Sequence, residues 1–176
     1  MTQETLQTGS KMPQFVLKNV DGNIIASSQY QGRALCIVFS CNHCPFVHAY
    51  ESRIIELAKQ FPKVQFLLIN SNDPENYPED SFERMRKRAK EKNYPFPYLI
   101  DESQEIAILF GAACTPDPFL FNSKHELVYR GRIDDNAKNQ NAVKEQSLRN
   151  AINAMLEGKE PIKPQFPAVG CSIKWK

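Results

Sequence analysis

Two cysteines separated by two residues carry the most conspicuous chemistry in this sequence, in the stretch Cys41-Asn42-His43-Cys44. Upstream, Ala34 to Phe39 is a mostly apolar run with the length of a buried strand. Downstream of Pro45, apolar side chains recur at Val47, Tyr50, Ile54, Leu57 and Phe61, the spacing of one helix face. The pair therefore falls where a buried strand turns into a helix. A helix N-terminus presents unpaired N–H groups and a positive dipole end, which stabilise a thiolate and lower its pKa. Within one helical turn the second sulfur can reach the first, close a disulfide and expel a bound partner. Pro45 early in the helix forfeits only an N–H that would be unpaired anyway. The same stretch offers soft ligands, so a metal held by Cys41, His43 and Cys44, with His48 one turn further on, is the rival reading.

The rest of the chain bounds these readings. At 176 residues, 41% hydrophobic and 24% charged, it suits one domain with a substantial core. A net charge of +2 gives no argument for nucleic acid or a membrane surface. No apolar run approaches the ~20 residues that cross a bilayer. Met1 to Gln14 is polar and lacks the basic start and apolar stretch of a secretory leader, so the expected compartment is the cytoplasm. The five cysteines, at 36, 41, 44, 114 and 171, are odd in number and do not read as a secreted disulfide framework.

The elements around the pair follow from pattern. Residues 1–12 form a loose lead-in. Phe15–Leu17 and Ile24–Ile25 flank Asp21-Gly22, a hairpin signal. Val64–Ile69 is a second buried strand, joined to the first through the helix as a βαβ unit. Pro78-Glu79-Asp80 opens a further helix with acids in its first turn and Phe82, Met85 and Ala89 facing inward. Its basic residues between Arg84 and Lys92 read as a solvated face. Pro95–Ile100 is a short strand, and Asp101 and Gly111 cap a helix over 102–110. Thr115-Pro116 precedes an antiparallel strand pair at 119–121 and 126–130. Val143, Leu148, Ile152 and Met155 mark the last helix. Residues 161–176 form a tail with no periodicity that packs on a domain spanning 13–160.

This order, with a C-x-x-C at a strand-to-helix turn and Thr-Pro before a later strand, resembles the thioredoxin superfamily. The phrases Cys41-Asn-His-Cys44-Pro-Phe-Val, Cys114-Thr-Pro-Asp117, Tyr129-Arg-Gly-Arg-Ile-Asp-Asp135 and Gly170-Cys-Ser-Ile-Lys-Trp175 look most like peroxiredoxin-like thioredoxin-family proteins, the alkyl hydroperoxide reductase and thiol-specific antioxidant relatives. The resemblance implies an α/β, thioredoxin-like three-layer sandwich: a mixed central sheet with an N-terminal β-hairpin extension and flanking helices. It implies a thiol–disulfide oxidoreductase with Cys41 as the exposed nucleophile and Cys44 as the resolving thiol. Pro116 would be a cis-proline facing the disulfide, and Thr115 would offer backbone groups to a substrate. His43 resembles the histidine of the disulfide-forming oxidases and would stabilise the thiolate. No cofactor is implied. The partners are a protein or small-molecule disulfide and a thioredoxin-type reductant.

Two departures from the family patterns stand out. Thioredoxin's buried carboxylate, six residues before its nucleophile, is Leu35 here. Aligning Cys44 with the peroxidatic cysteine of peroxiredoxins puts Cys41 and Ile37 where that family has threonine and proline. Thiol peroxidase activity is therefore an alternative, as is a copper-delivery module. Cys114 and Cys171 form a candidate second redox pair, approaching each other or the C-x-x-C pair.

Overall fold

The computed structural model describes residues 6–176. Its strands and helices run β1 (Val16–Asn19), β2 (Ile24–Ala26), β3 (Ala34–Phe39), α1 (Pro45–Gln60), β4 (Val64–Asn70), α2 (Phe82–Glu91), β5 (Tyr98–Ile100), α3 (Glu105–Phe110), β6 (Cys114–Thr115), β7 (Asp117–Phe121), β8 (Leu127–Arg130), α4 (Ser147–Leu156) and β9 (Cys171–Ser172). Seven strands form one mixed sheet in the order β2-β1-β5-β4-β3-β7-β8. β3 lies parallel to β4 and antiparallel to β7, so it is central and all six of its residues are buried. Parallel pairing requires a crossover, and α1 supplies it.

Side chains alternate across β3 and divide the core between the two faces of the sheet. Ala34, Cys36 and Val38 pack with Tyr50, Ile54 and Leu57 of α1, Met85 of α2 and Leu148, Ala151 and Ile152 of α4. Leu35, Ile37 and Phe39 pack on the other face with Ile106, Ala107 and Phe110 of α3, with Met12 and Phe15, and with Ile173 of the tail. Helices thus cover both faces, giving the three-layer thioredoxin-like sandwich with its N-terminal hairpin.

Local chemistry moved several boundaries. Pro78–Asp80 is a single 3-10 turn rather than the start of a helix. Ser81 ends that turn, and its Oγ accepts the Arg84 N–H at 3.3 Å to start α2. Asp80 is consequently turned inward and is 1% exposed. The helix expected from residue 102 starts at Glu105, because Gln104 takes a left-handed φ of 67°. The Asp101 carboxylate still accepts the N–H groups of Ile106 and Ala107, at 3.3 and 2.9 Å. Residues 1–5 of the expected lead-in lie outside the described residues. Its later part is not loose: Gly9 N–H donates to Leu127 O and Met12 N–H to His125 O, both at 2.8 Å, and Met12 is buried. β6 and β9, each two residues long, fall below what a hydrophobic pattern can signal; they pair antiparallel with Thr115 opposite Cys171.

Candidate active site

β3 ends at Phe39, and the chain crosses Ser40 to Asn42 before α1 begins at Pro45. Cys44 is the N-cap residue of α1, in extended conformation with Pro45 at the first helical position. Its sulfur therefore meets the positive end of a sixteen-residue helix. Cys41 sits one step deeper, on the floor of the turn. Both thiols are 1% exposed, so the exposed nucleophile expected at Cys41 is absent.

The two thiols have opposite electrostatic surroundings. Hydrogen bonding from the Cys41 thiol does most to draw Cys44 down, to about 4; the Cys171 thiol and the backbone N–H groups of Val47 and Cys171 pull the same way against burial. The Cys41 thiol is pushed far up, first by that same hydrogen bond to Cys44, then by burial and by the Asp80 carboxylate. The Thr115 hydroxyl, 3.4 Å from Cys41 Sγ, opposes this. The pair is tightly coupled, and the direction of that coupling, together with the N-cap position, favours negative charge on Cys44 over Cys41.

Thr115 and Pro116 form the wall opposite Cys44. The peptide bond between them is cis. The Thr115 carbonyl oxygen is 3.4 Å from Cys44 Sγ. β9 then brings Cys171 in from the tail, with its Sγ 2.6 Å from that of Cys44. Sulfur–sulfur contact is thus made across 127 residues of sequence. Cys114 does not join it. Its thiol lies 3.9 Å from the Pro116 carbonyl, and burial together with the Asp117 carboxylate pushes it up to about 12. Of the two arrangements expected for Cys114 and Cys171, the structure places Cys171 against the C-x-x-C pair, at Cys44, and not against Cys114; all five cysteines are free thiols. Cys36 is fully buried within β3.

Behind Cys41 lies a polar pocket built around Asp80. Its Oδ1 accepts the Asn42 N–H at 2.6 Å and the Asn70 amide at 3.1 Å, and its Oδ2 accepts the Asn72 amide at 3.0 Å. His43 Nδ1 also contacts Oδ2, and the His43 ring stacks on Tyr77 with centroids 5.7 Å apart. His43 is thus engaged with Asp80 rather than directed at Cys44. Tyr98 OH donates to the Asn42 side chain at 2.7 Å, closing the pocket. Sequence patterning missed Asp80, reading it as an acid in a helical first turn. Asn42 and Asn72, in loops, and Asn70, at the end of β4, were the available hint that a buried acceptor needed donors.

The carboxylate absent at Leu35 is thereby supplied from a different element. Leu35 itself is fully buried on the opposite face of the sheet. The ligand set Cys41, His43 and Cys44 does not converge. Among the described residues, the metal-ligating atoms that lie within 4.8 Å of one another belong to Cys41, His43 and Asp80. Asp80 is a poor ligand there, because Asn42, Asn70, Asn72 and His43 already occupy its acceptor positions. Asp134 is far from this chemistry in role: it accepts from Arg53 at 2.8 Å and Tyr50 at 2.9 Å. No helix among the described residues is long and apolar enough to cross a membrane.

Comparisons with known proteins agree with this architecture. Residues 8–130 match the model of the AhpC/TSA family. An uncharacterized conserved protein from Geobacillus kaustophilus is 47% identical with a TM-score of 0.92, over 98% of this chain and 94% of that one. A hypothetical protein from Sinorhizobium meliloti is 37% identical, also with a TM-score of 0.92, over 98% of this chain and 97% of its own. A secreted disulfide oxidoreductase of Mycobacterium tuberculosis, 19% identical, shares the fold at a TM-score of 0.57 over 65% of this chain and 80% of that one. No curated protein matches.

Proposed function

The chain belongs to the AhpC/TSA family and is a thioredoxin-like oxidoreductase; from that premise we propose that it reduces disulfides with Cys44 as the attacking thiolate and Cys41 as the resolving thiol. One observation carries the assignment: Cys44, not Cys41, is the N-cap residue of the sixteen-residue α1 and faces the Thr115 and Cys171 wall, and the direction of the coupled shifts agrees with it. The roles are the reverse of those the resemblance implied. A thiolate is the nucleophile in thiol–disulfide exchange, and the thiol with the higher pKa keeps its proton until it is needed.

The cycle is then as follows. Cys44 attacks one sulfur of the substrate disulfide; a Cys44–substrate bond forms and the other substrate sulfur leaves as a thiolate that takes up a proton. Cys41 loses its proton and attacks Cys44 Sγ, closing the Cys41–Cys44 disulfide and releasing the second substrate sulfur. The ligating atoms of His43 and Asp80 lie within 4.8 Å of Cys41 Sγ, and the Thr115 hydroxyl is 3.4 Å from it. An external dithiol of the thioredoxin type returns the pair to the reduced state.

Burial supports a second reading. At 1% exposure and beneath the tail, Cys44 is more accessible to a small hydroperoxide than to a folded protein. Attack on a hydroperoxide would leave a sulfenic acid on Cys44 and release an alcohol; Cys41 would then condense with it, releasing water. Disulfide reduction and peroxide consumption measured side by side for wild type, Cys44→Ser and Cys41→Ser separate the two. Loss of disulfide reduction in Cys44→Ser, with a Cys44-linked mixed disulfide trapped in the Cys41→Ser/Cys171→Ser double variant, is the expected result. Full disulfide reduction by Cys44→Ser would overturn the assignment.

A further inference from the structure

Oxidising Cys41–Cys44 creates a difficulty that the geometry also resolves. A dithiol can reduce that disulfide by attacking either sulfur. Attack on Cys41 would expel Cys44, a good leaving group because its pKa is low, but Cys41 is 1% exposed and lies on the floor of the turn. Attack on Cys44 from outside is blocked in the same way, because Cys44 is itself 1% exposed. The buried pair is therefore poorly placed for any external reductant.

Cys171 changes this. Its Sγ is 2.6 Å from Cys44 Sγ, and it is more exposed than either partner of the buried pair. It is also held in place by a built structure. β9 pairs antiparallel with β6, placing Cys171 opposite Thr115. Ile173 N–H donates to Ala113 O at 3.2 Å, and Ile173 is buried in the core beneath α3. Lys174 N–H donates to Asn72 Oδ1 at 2.9 Å, and its carbonyl accepts from Asp73 N–H at 2.8 Å and Gln104 Nε2 at 3.0 Å. Gly170 completes the fit, because a Cβ there would stand 2.1 Å from the Thr115 carbonyl oxygen.

We propose that Cys171 is a third redox sulfur that moves the disulfide from the buried Cys41–Cys44 pair to a Cys44–Cys171 pair with one partly exposed sulfur, where an external dithiol reduces it. The inference rests on the Cys44-centred reading above. Cys171 gives its proton to solvent and attacks Cys44 Sγ; the Cys44–Cys171 bond forms, the Cys41–Cys44 bond breaks, and Cys41 leaves and takes up a proton. No electrons are gained or lost in this exchange. The external dithiol then attacks Cys171 Sγ, forming a mixed disulfide and expelling the Cys44 thiolate, the best leaving group of the three. Its second thiol attacks the sulfur bound to Cys171, releasing oxidised dithiol and reduced Cys171. The tail thereby gives the buried site an exit for oxidising equivalents.

The test uses the full chain oxidised with glutathione disulfide, acid-quenched alkylation and peptide mapping, and dithiothreitol as the dithiol. Wild type should contain a Cys44–Cys171 linkage, and Cys41→Ser should form that linkage alone. Cys171→Ser should be confined to the Cys41–Cys44 disulfide, and its reduction by dithiothreitol should slow about tenfold or more, as loss of the accessible sulfur demands. Cys171→Ala with an unchanged melting temperature controls for a tail that no longer docks and should show the same slowing. Reduction of Cys171→Ser at the wild-type rate, or no Cys44–Cys171 linkage in Cys41→Ser, would overturn the proposal. Either result leaves the dependence on Cys44 standing, whereas turnover by Cys44→Ser would instead remove the underlying assignment.

Discussion

Cys44 stands between two walls that were assembled in different ways. On one side, Cys41, His43 and Asp80 form a pocket whose polar atoms are saturated by Asn42, Asn70 and Asn72. On the other, Thr115 and Cys171 meet along a two-residue strand pair. The first wall is buried and raises the pKa of the thiol it holds; the second is partly open and offers a thiol close to the surface. One side thus stores a proton, and the other provides access. Asn72 belongs to both: its side-chain Nδ2 donates to Asp80 at 3.0 Å, and its side-chain Oδ1 accepts the Lys174 N–H at 2.9 Å. Docking of the tail is in this way mechanically continuous with the Asp80 pocket.

Removing the residue between the walls has the largest expected effect. Cys44→Ser should lower disulfide turnover by ~10³-fold or more, the scale of losing a covalent nucleophile. Steady-state kinetics with a small-molecule disulfide measures it. The asymmetry between the walls also predicts a pH signature. Cys44 is drawn from the ordinary thiol value of 9.0 down to about 4 on folding, so at this group the reduced folded chain binds fewer protons than the unfolded chain between those values. The stabilisation from this group is fully present above pH 9.0 and is lost as pH falls towards about 4. Cys41, raised on folding, is protonated in both states over the acidic and neutral part of that window; as pH nears the ordinary thiol value only the unfolded chain loses that proton, so there its contribution opposes that of Cys44. Thiolate ultraviolet absorbance of the reduced protein should persist down to about pH 4 and be absent from Cys44→Ser. An ordinary thiol titration near 9 in the wild type would erase the distinction between the two sulfurs.

The walls also differ in how much of them the sequence exposed. β3 and α1 were legible because burial imposes a period on them: six consecutive apolar residues, then Val47, Tyr50, Ile54 and Leu57 at helical intervals. Their junction placed Cys41 and Cys44 directly. Asp80 was not legible, since a 3-10 turn of three residues aims its carboxylate by backbone geometry and not by periodicity. Which thiol carries the charge was hidden too. It depends on the N-cap falling at Cys44 rather than Cys41, a shift of three residues that hydrophobic spacing cannot resolve. Cys171 lies in a tail whose order comes from hydrogen bonds to distant backbone, so nothing local marked its position beside Cys44.

A substitution at the pocket should act on stability more than on access. Asp80→Asn leaves an amide facing the donors of Asn42, Asn70 and Asn72, so at least one buried N–H loses its acceptor. A loss of about 2–3 kcal/mol is expected for an unsatisfied, formerly charge-assisted contact. Denaturant unfolding of the reduced chain measures it. The same change removes a negative charge that raises Cys41, so the Cys41 thiol should titrate lower. If stability is unaltered, the carboxylate is not the hub of that wall.

Gly170→Ala acts on the other wall and should be the mildest change overall. Its new Cβ would meet the Thr115 carbonyl oxygen at 2.1 Å and the carbonyl carbon at 2.7 Å, both backbone atoms that cannot swing aside. The tail has to lift away, because β6 is fixed by the main sheet through Asp117 and β7, while β9 is held by its own short register and by the hydrogen bonds of Ile173, Lys174 and Lys176. Overpacking of this kind costs about 1–3 kcal/mol. Undocking of β9 caps the global loss, since most of the core lies outside the tail. Hydrogen exchange should therefore rise at Ile173 and Lys174 while amides of β3 and β4 keep their protection. The Cys44–Cys171 linkage should form more slowly in this variant, with the Cys41–Cys44 disulfide forming as before. An equal slowing of both linkages would mean that the two walls are one cooperative unit, joined through Asn72, rather than a fixed pocket and a docked strand.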